Sequence, residues 1–196
     1  MRIKGNKDIK ISQMKYPNIS IGYDEDGRRI EFKGGVLGQT VRVKAGKKNK
    51  ERVRGKYIEL INESDLENSR YYCPQAVICG GCAYQKLAYE TELMLKNGMV
   101  KDLFEENAIA YGNNIRINRS PVTKGYRNKM EYTFGDSVKG GPLVLGMHRK
   151  RRFYEIVDTV DCNIVDSDFN KIRSKVQDYF RKKETNFYHK MKQMDF

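Results

Sequence analysis

The sequence has no tryptophan, two histidines and four prolines in 196 residues. No apolar run approaches the roughly 18 residues that a membrane helix requires, so no span is expected. The start, MRIKGNKDIKIS, lacks both an apolar core and a small-residue cleavage site, so no secretory leader is expected. A reducing, cytoplasmic setting is therefore expected, and there the four cysteines read as ligands or catalysts before they read as disulfides. Histidine chemistry has little to work with: His148 has no partner at metal or triad spacing and reads as a surface residue. Acidic residues are also short. Only 25 Asp and Glu oppose 38 Lys and Arg, a net charge of +13, which points to a polyanionic partner such as nucleic acid. An apolar fraction of 39% supports modest cores and not one deep core.

What is present falls into two regions. Up to Asn62 the pattern is short and β-like: DIKISQMKY, then ISIGYDEDGRRIEF around an Asp26-Gly27 turn, then GGVLGQTVRVKAG and ERVRGKYIELIN. About five short strands in this length suit a small OB-type barrel. Lys44, Lys47, Lys48, Lys50 and Arg52 cluster in KAGKKNKER, a hairpin tip suited to a phosphate backbone. The polar stretch NESDLENSRYY makes a linker. Beyond it a helix is expected over 86–107, its apolar face running through Tyr89, Leu93, Val100 and Phe104. Three strand-like runs follow: IRINRSP, GYRNKMEYTFG and PLVLGMHRKRRFYEIVDTV. Asp166 or Ser167 then caps a helix striped by Phe169, Ile172, Val176, Tyr179 and Phe180.

Three cysteines lie in CPQAVICGGCAYQ, spaced by five and then two residues, and Cys162 follows after 79 more. One loop thus offers three sulfurs, with Gly80-Gly81 allowing a tight backbone path. Four thiolates complete the ligand set of an iron–sulfur cluster or of tetrahedral zinc. The Cys79/Cys82 pair suits zinc, the five-residue gap before it does not, and a lone CxxC is also a redox pair. Spacing alone leaves these open. Tyr126, Arg127, Asn128 and Lys129 join an aromatic ring to phosphate-binding groups, and Arg149, Lys150 and Arg151 form a basic hairpin tip.

KYPNISIGYDEDGRRIEFKGGVLGQTVRVK resembles a TRAM domain, an RNA-binding barrel of RNA-modifying enzymes. CPQAVICGGCAYQKLAYETELMLKNGMVKDLF, GYRNKMEYTFG and LGMHRKRRFYEIVDTVDCNI resemble the RNA (uracil-5-)-methyltransferase family, in particular its 23S rRNA branch with an N-terminal TRAM domain and a [4Fe–4S] cluster. The resemblance runs from about Lys15 to Phe196. It implies an α+β protein: a TRAM barrel over 1–63 and an iron–sulfur domain with an antiparallel sheet over 64–196. It also implies that Cys73, Cys79, Cys82 and Cys162 hold the cluster, that 23S rRNA is the partner, and that the 86–107 helix docks on a catalytic domain. In the family, S-adenosylmethionine donates a methyl group to uracil C5 after a cysteine adds at C6, in a doubly wound domain beyond the region matched here. No glycine-rich cofactor turn and no spare cysteine occur in this chain, so an N-terminal, monomeric portion without activity of its own is expected. A stand-alone RNA-binding adaptor stabilised by metal is the alternative. A radical methylthiotransferase fits less well, because its cluster loop is spaced three-then-two and its TRAM domain comes last.

Overall fold

The computed structural model describes residues 5–49, 52–68, 73–112 and 115–187. The chain is a mixed α+β protein, and its internal contacts divide it into two compact units. Unit 1 comprises Met1–Ser69 with Lys86–Arg119, and unit 2 comprises Arg70–Gln85 with Ser120–Phe196.

Unit 1 holds six strands: β1 (Asn6–Lys10), β2 (Gln13–Lys15), β3 (Ile19–Tyr23), β4 (Arg29–Lys33), β5 (Thr40–Asn49) and β6 (Arg52–Asn62). Their order in the sheet is β1-β5-β6-β4-β3-β2. Every pairing is antiparallel except β4 with β6. Five strands were expected, and the sixth comes from a break in the first. At Ile11 the backbone turns to the 34–39 loop, with Ile11 N–H donating to the Gln39 carbonyl at 2.8 Å and Gly38 N–H donating to that of Ile11 at 2.9 Å. Ser12 N–H then donates to Ile21, so the chain has exchanged β5 for β3 as its partner. The two halves of one broken strand occupy opposite edges of the sheet, which curls it into a half-barrel. Inside lie Ile9, Ile11, Ile21, Ile30, Val41, Val43 and Val53, all essentially sealed from water. Their alternation with polar neighbours is the period-two pattern of a sheet with one wet face.

The hairpin expected at Asp26-Gly27 forms between β3 and β4. Asp24 anchors it: Oδ1 accepts from the backbone N–H groups of Asp26 and Arg28, and Oδ2 from the Arg28 guanidinium at 2.8 Å.

Helix α1 (Tyr89–Glu106) belongs to unit 1. Its buried residues are Leu95 and Met99, one turn apart, and not the expected stripe, in which Val100 is exposed. Helix packing on β2 decides the face. Gln13 donates to Asp102 at 3.0 Å and Lys15 pairs with Glu106, so the side bearing residues 95, 99, 102 and 106 faces β2, with only Leu95 and Met99 buried.

Unit 2 carries β7 (Thr133–Asp136), β8 (Leu143–Arg149) and β9 (Arg152–Val157) in a three-stranded antiparallel sheet, with helix α2 (Ser167–Lys182) against β8. IRINRSP forms no strand, and only the end of GYRNKMEYTFG does. Asp166 caps α2 by accepting from Asp168 N–H at 2.9 Å. The expected apolar stripe of α2 is only partly inward: Ile172 and Tyr179 are exposed, while Arg173 and Gln177 are buried. These two polar residues serve the backbone of β8. Arg173 donates to the Leu145 carbonyl at 2.7 Å, Leu145 N–H donates to Gln177 at 2.6 Å, and Asp158 pairs with Arg173 at 2.8 Å. Both the N–H and the carbonyl of Leu145 are thereby satisfied by side chains of α2.

Candidate metal centre and nucleic-acid surfaces

The loop before α1 turns on short backbone bonds. Ala76 N–H donates to the Cys73 carbonyl, and the N–H groups of Ile78 and Cys79 both donate to Gln75. It is then fastened to the β8–β9 hairpin. Gly80 N–H donates to the His148 carbonyl and Lys150 N–H to that of Ile78, both at 2.8 Å. The Lys150 ammonium reaches the Ala76 carbonyl at 2.6 Å. Gly80 is required here by proximity: a Cβ would stand 2.8 Å from the His148 carbonyl oxygen. A Cβ on Gly81 would meet the flexible Met147 side chain at 3.4 Å, an ordinary contact.

Cys162 comes from the other segment of unit 2, just ahead of α2. Asn170, one turn into that helix, clamps it from both sides, accepting from Cys162 N–H at 3.0 Å and donating to its carbonyl at 3.1 Å. Gln85 links the two segments, donating toward Cys82 Sγ at 3.6 Å and accepting from Asn163 at 3.5 Å. Sequence reading did not single out Asn170 or Gln85. Their signal was there in amides placed next to cysteine-bearing turns, but an amide in a helix or loop has many other uses.

All four cysteines line one cavity of about 60 Å³ with Met130 and Met147 among its apolar walls. None is in a disulfide. Gly81 N–H points at Cys79 Sγ at 3.4 Å and the Cys73 thiol at Gln75 Oε1 at the same distance. Among the described residues no three metal-ligating groups stand close enough together to hold a metal ion as they are placed. Burial pushes the thiols of Cys73, Cys79 and Cys82 up, and neighbouring cysteines add to it; N–H groups and, for Cys73 and Cys79, Lys150 oppose it. Such thiols stay protonated until a cation compensates the thiolate charge. The donor set, its convergence and its apolar walls fit a thiolate-bound metal or cluster.

The expected nucleic-acid residues are more scattered. Lys44 and Arg52 lie exposed on the outer face of β5 and β6. Arg54 and Lys56 join them, Lys44 directly opposite Lys56. Like charges placed opposite one another in a sheet repel, and a polyanion relieves that. Arg42 on the same strand is already matched by Asp8 and Glu59. Lys47 and Lys48 lie in the last residues of β5, where side chains are not described, and Lys50 lies outside the described residues. In unit 2, Tyr126, Arg127, Asn128 and Lys129 are all exposed. Arg127 lines the cysteine cavity and Lys129 pairs with Glu131 at 2.8 Å. At the β8–β9 tip, Arg151 is exposed and Arg149 pairs with Glu155, while Lys150 turns inward to the cysteine loop. His148, expected at the surface, is half-buried and stacks on Phe153.

No protein-family model matches the chain. It is 43% identical over 182 residues to a protein named an uncharacterized RNA methyltransferase in Caldanaerobacter subterraneus subsp. tengcongensis, covering 93% of this chain and 40% of that one. A protein of the same description in Clostridium acetobutylicum is 38% identical across 100% of this chain and 42% of its own length. A third, in Clostridium tetani, is 36% identical over 96% of this chain and 41% of its own length. Nearly all of this chain is thus homologous to proteins that bear the RNA methyltransferase name, and it spans about two fifths of their length.

Proposed function

We propose that this chain is the RNA-binding and [4Fe–4S]-holding part of an S-adenosylmethionine-dependent 23S rRNA (uracil-5-)-methyltransferase. The observation that carries this reading is the convergence of Cys73, Cys79, Cys82 and Cys162, from two distant segments, on one apolar-walled cavity. These are all four cysteines of the chain, so no thiol is left to attack uracil C6. In this reading methyl transfer belongs to the part of the relatives that lies outside the match. A cluster held by the four thiolates supplies a rigid crosslink between the cysteine loop and the start of α2. Gln85, Asn170 and Lys150 orient the loop and Cys162 around it.

The TRAM reading of unit 1 is supported by its strand order. With β1 and β2 counted as one strand, five strands form a curled sheet with a single parallel pair, as suits an OB-type barrel. Its outer basic face supports RNA as the partner. Anaerobic reconstitution followed by iron, sulfide and zinc analysis and an absorbance spectrum tests the centre. A brown protein with equal iron and acid-labile sulfide is expected, and Cys162→Ser should lose most of both. A colourless protein holding one zinc ion would sink the iron–sulfur reading.

A further inference from the structure

The tip of the β8–β9 hairpin presents aromatic rings that no core requires. Phe153 is 59% and Tyr154 60% exposed, although Ile156 and Val157 farther along the same strand are buried. The His148 ring lies flat against Phe153, centroids 4.1 Å apart and planes 12° from parallel, with His148 Nδ1 2.6 Å from the Phe153 carbonyl. Tyr154 meets Phe153 edge-on at 5.8 Å and 85°. Phe153 is thus backed by one ring and flanked by another while much of it faces water. Guanidinium groups surround it: Arg149 and Arg152 share the single carboxylate of Glu155, and Arg151 is exposed at the turn with φ of 65°. The three tethers to the cysteine loop described above fix the tip in place.

Resting on the RNA reading above, we propose that this tip is a base-stacking platform for single-stranded RNA. An unpaired base stacks on Phe153 beside Tyr154, and Arg149, Arg151 and Arg152 hold the flanking phosphates. Exposed rings bordered by cations suit this occupant: every base offers a π-face, whereas in a duplex both faces of each base are already stacked. Because His148 braces Phe153, little rotamer freedom is lost on binding.

Titration of the full chain with a short single-stranded RNA carrying 2-aminopurine, at several salt concentrations, tests the proposal. The same strand paired into a duplex is the control. Phe153→Leu should weaken single-strand binding about fivefold or more, abolish the fluorescence quench and leave the salt slope unchanged. Tyr154→Leu should act in the same direction. Arg151→Gln should instead flatten the slope by about 0.7 and retain the quench. Undiminished binding by both leucine variants, or an equal loss on duplex, would overturn the platform while leaving the RNA reading intact. A wild-type chain that binds neither RNA would overturn both.

Discussion

Asp24 shows how one side chain in a turn governs a whole hairpin. Burial pushes its carboxyl up, but the Arg28 and Asp26 N–H groups and the Arg28 guanidinium outweigh this and hold it below the ordinary 3.8. A folded-state value below the unfolded one stabilises at pH above the unfolded value, and the gain is lost as pH falls through the folded one. Asp24→Asn should therefore destabilise unit 1 by about 1–2 kcal/mol at pH 7, and the difference from wild type should narrow below about pH 3.8. Urea unfolding at both ends of this range checks it, and a penalty independent of pH would refute the charge argument. Lys150 makes a second test at this scale. Its ammonium donates to the Ala76 carbonyl at 2.6 Å, and burial pulls it below its ordinary value while the cysteines push back. Lys150→Met leaves the Ala76 carbonyl without its donor and removes one cation from beside the cysteines. Metal stripping by a chelator should be several-fold faster than in wild type, with Lys150→Arg in between. Equal rates for all three would show that the lysine only fills space.

At the scale of elements, the glycine pair in the cysteine loop separates two kinds of constraint. Gly80→Ala drives a Cβ into the backbone of β8–β9 and breaks the bond to His148, whereas Gly81→Ala meets the movable Met147 side chain and Cys79 Sγ, both at ordinary contact distance. The first should cost about 1–3 kcal/mol and most metal retention, the second little of either; thermal unfolding and metal analysis of the two variants decide it. Sequence reading saw that glycines were needed here but attributed them to a tight fold around the sulfurs, because contact with a hairpin nearly seventy residues away leaves no local trace. The same limit explains the other differences. The Asp26-Gly27 hairpin was legible since turn chemistry and alternation are both local. Its neighbour's break at Ile11-Ser12 was not, because no glycine or proline marks it and it arises from a change of partner strand. Helix α1 was legible as a helix, but its inward face was set by β2. In α2 the apolar stripe misled because Arg173 and Gln177 bind backbone that another strand exposes. The cysteines were the most legible part of the site, their donor chemistry being fixed by residue type. That the two segments come together could be inferred only from resemblance until the structure placed them around one cavity.

For the molecule as a whole, the surplus of cations acts through position and not through sum. Many of the guanidinium groups are spoken for: Arg28 by Asp24, Arg42 by Asp8 and Glu59, Arg173 by Asp158. These should contribute nothing to counterion release, since they bring their own anions. In the RNA-binding reading, exposed Lys44 and Lys56 in unit 1 and the arginines of the β8–β9 tip in unit 2 are among the groups through which a bound RNA releases salt. Each neutralised phosphate of a single strand steepens the dependence of log K on log salt by about 0.7. Lys44→Gln, Lys56→Gln and Arg151→Gln should therefore each flatten the slope by about that amount, and substitutions in different units should add, because each removes its own phosphate contact. Arg42→Gln should leave the slope unchanged even though it removes the same formal charge. If all four variants flattened it equally, net charge alone would govern binding and the outer face of β5 and β6 would have no special part in it.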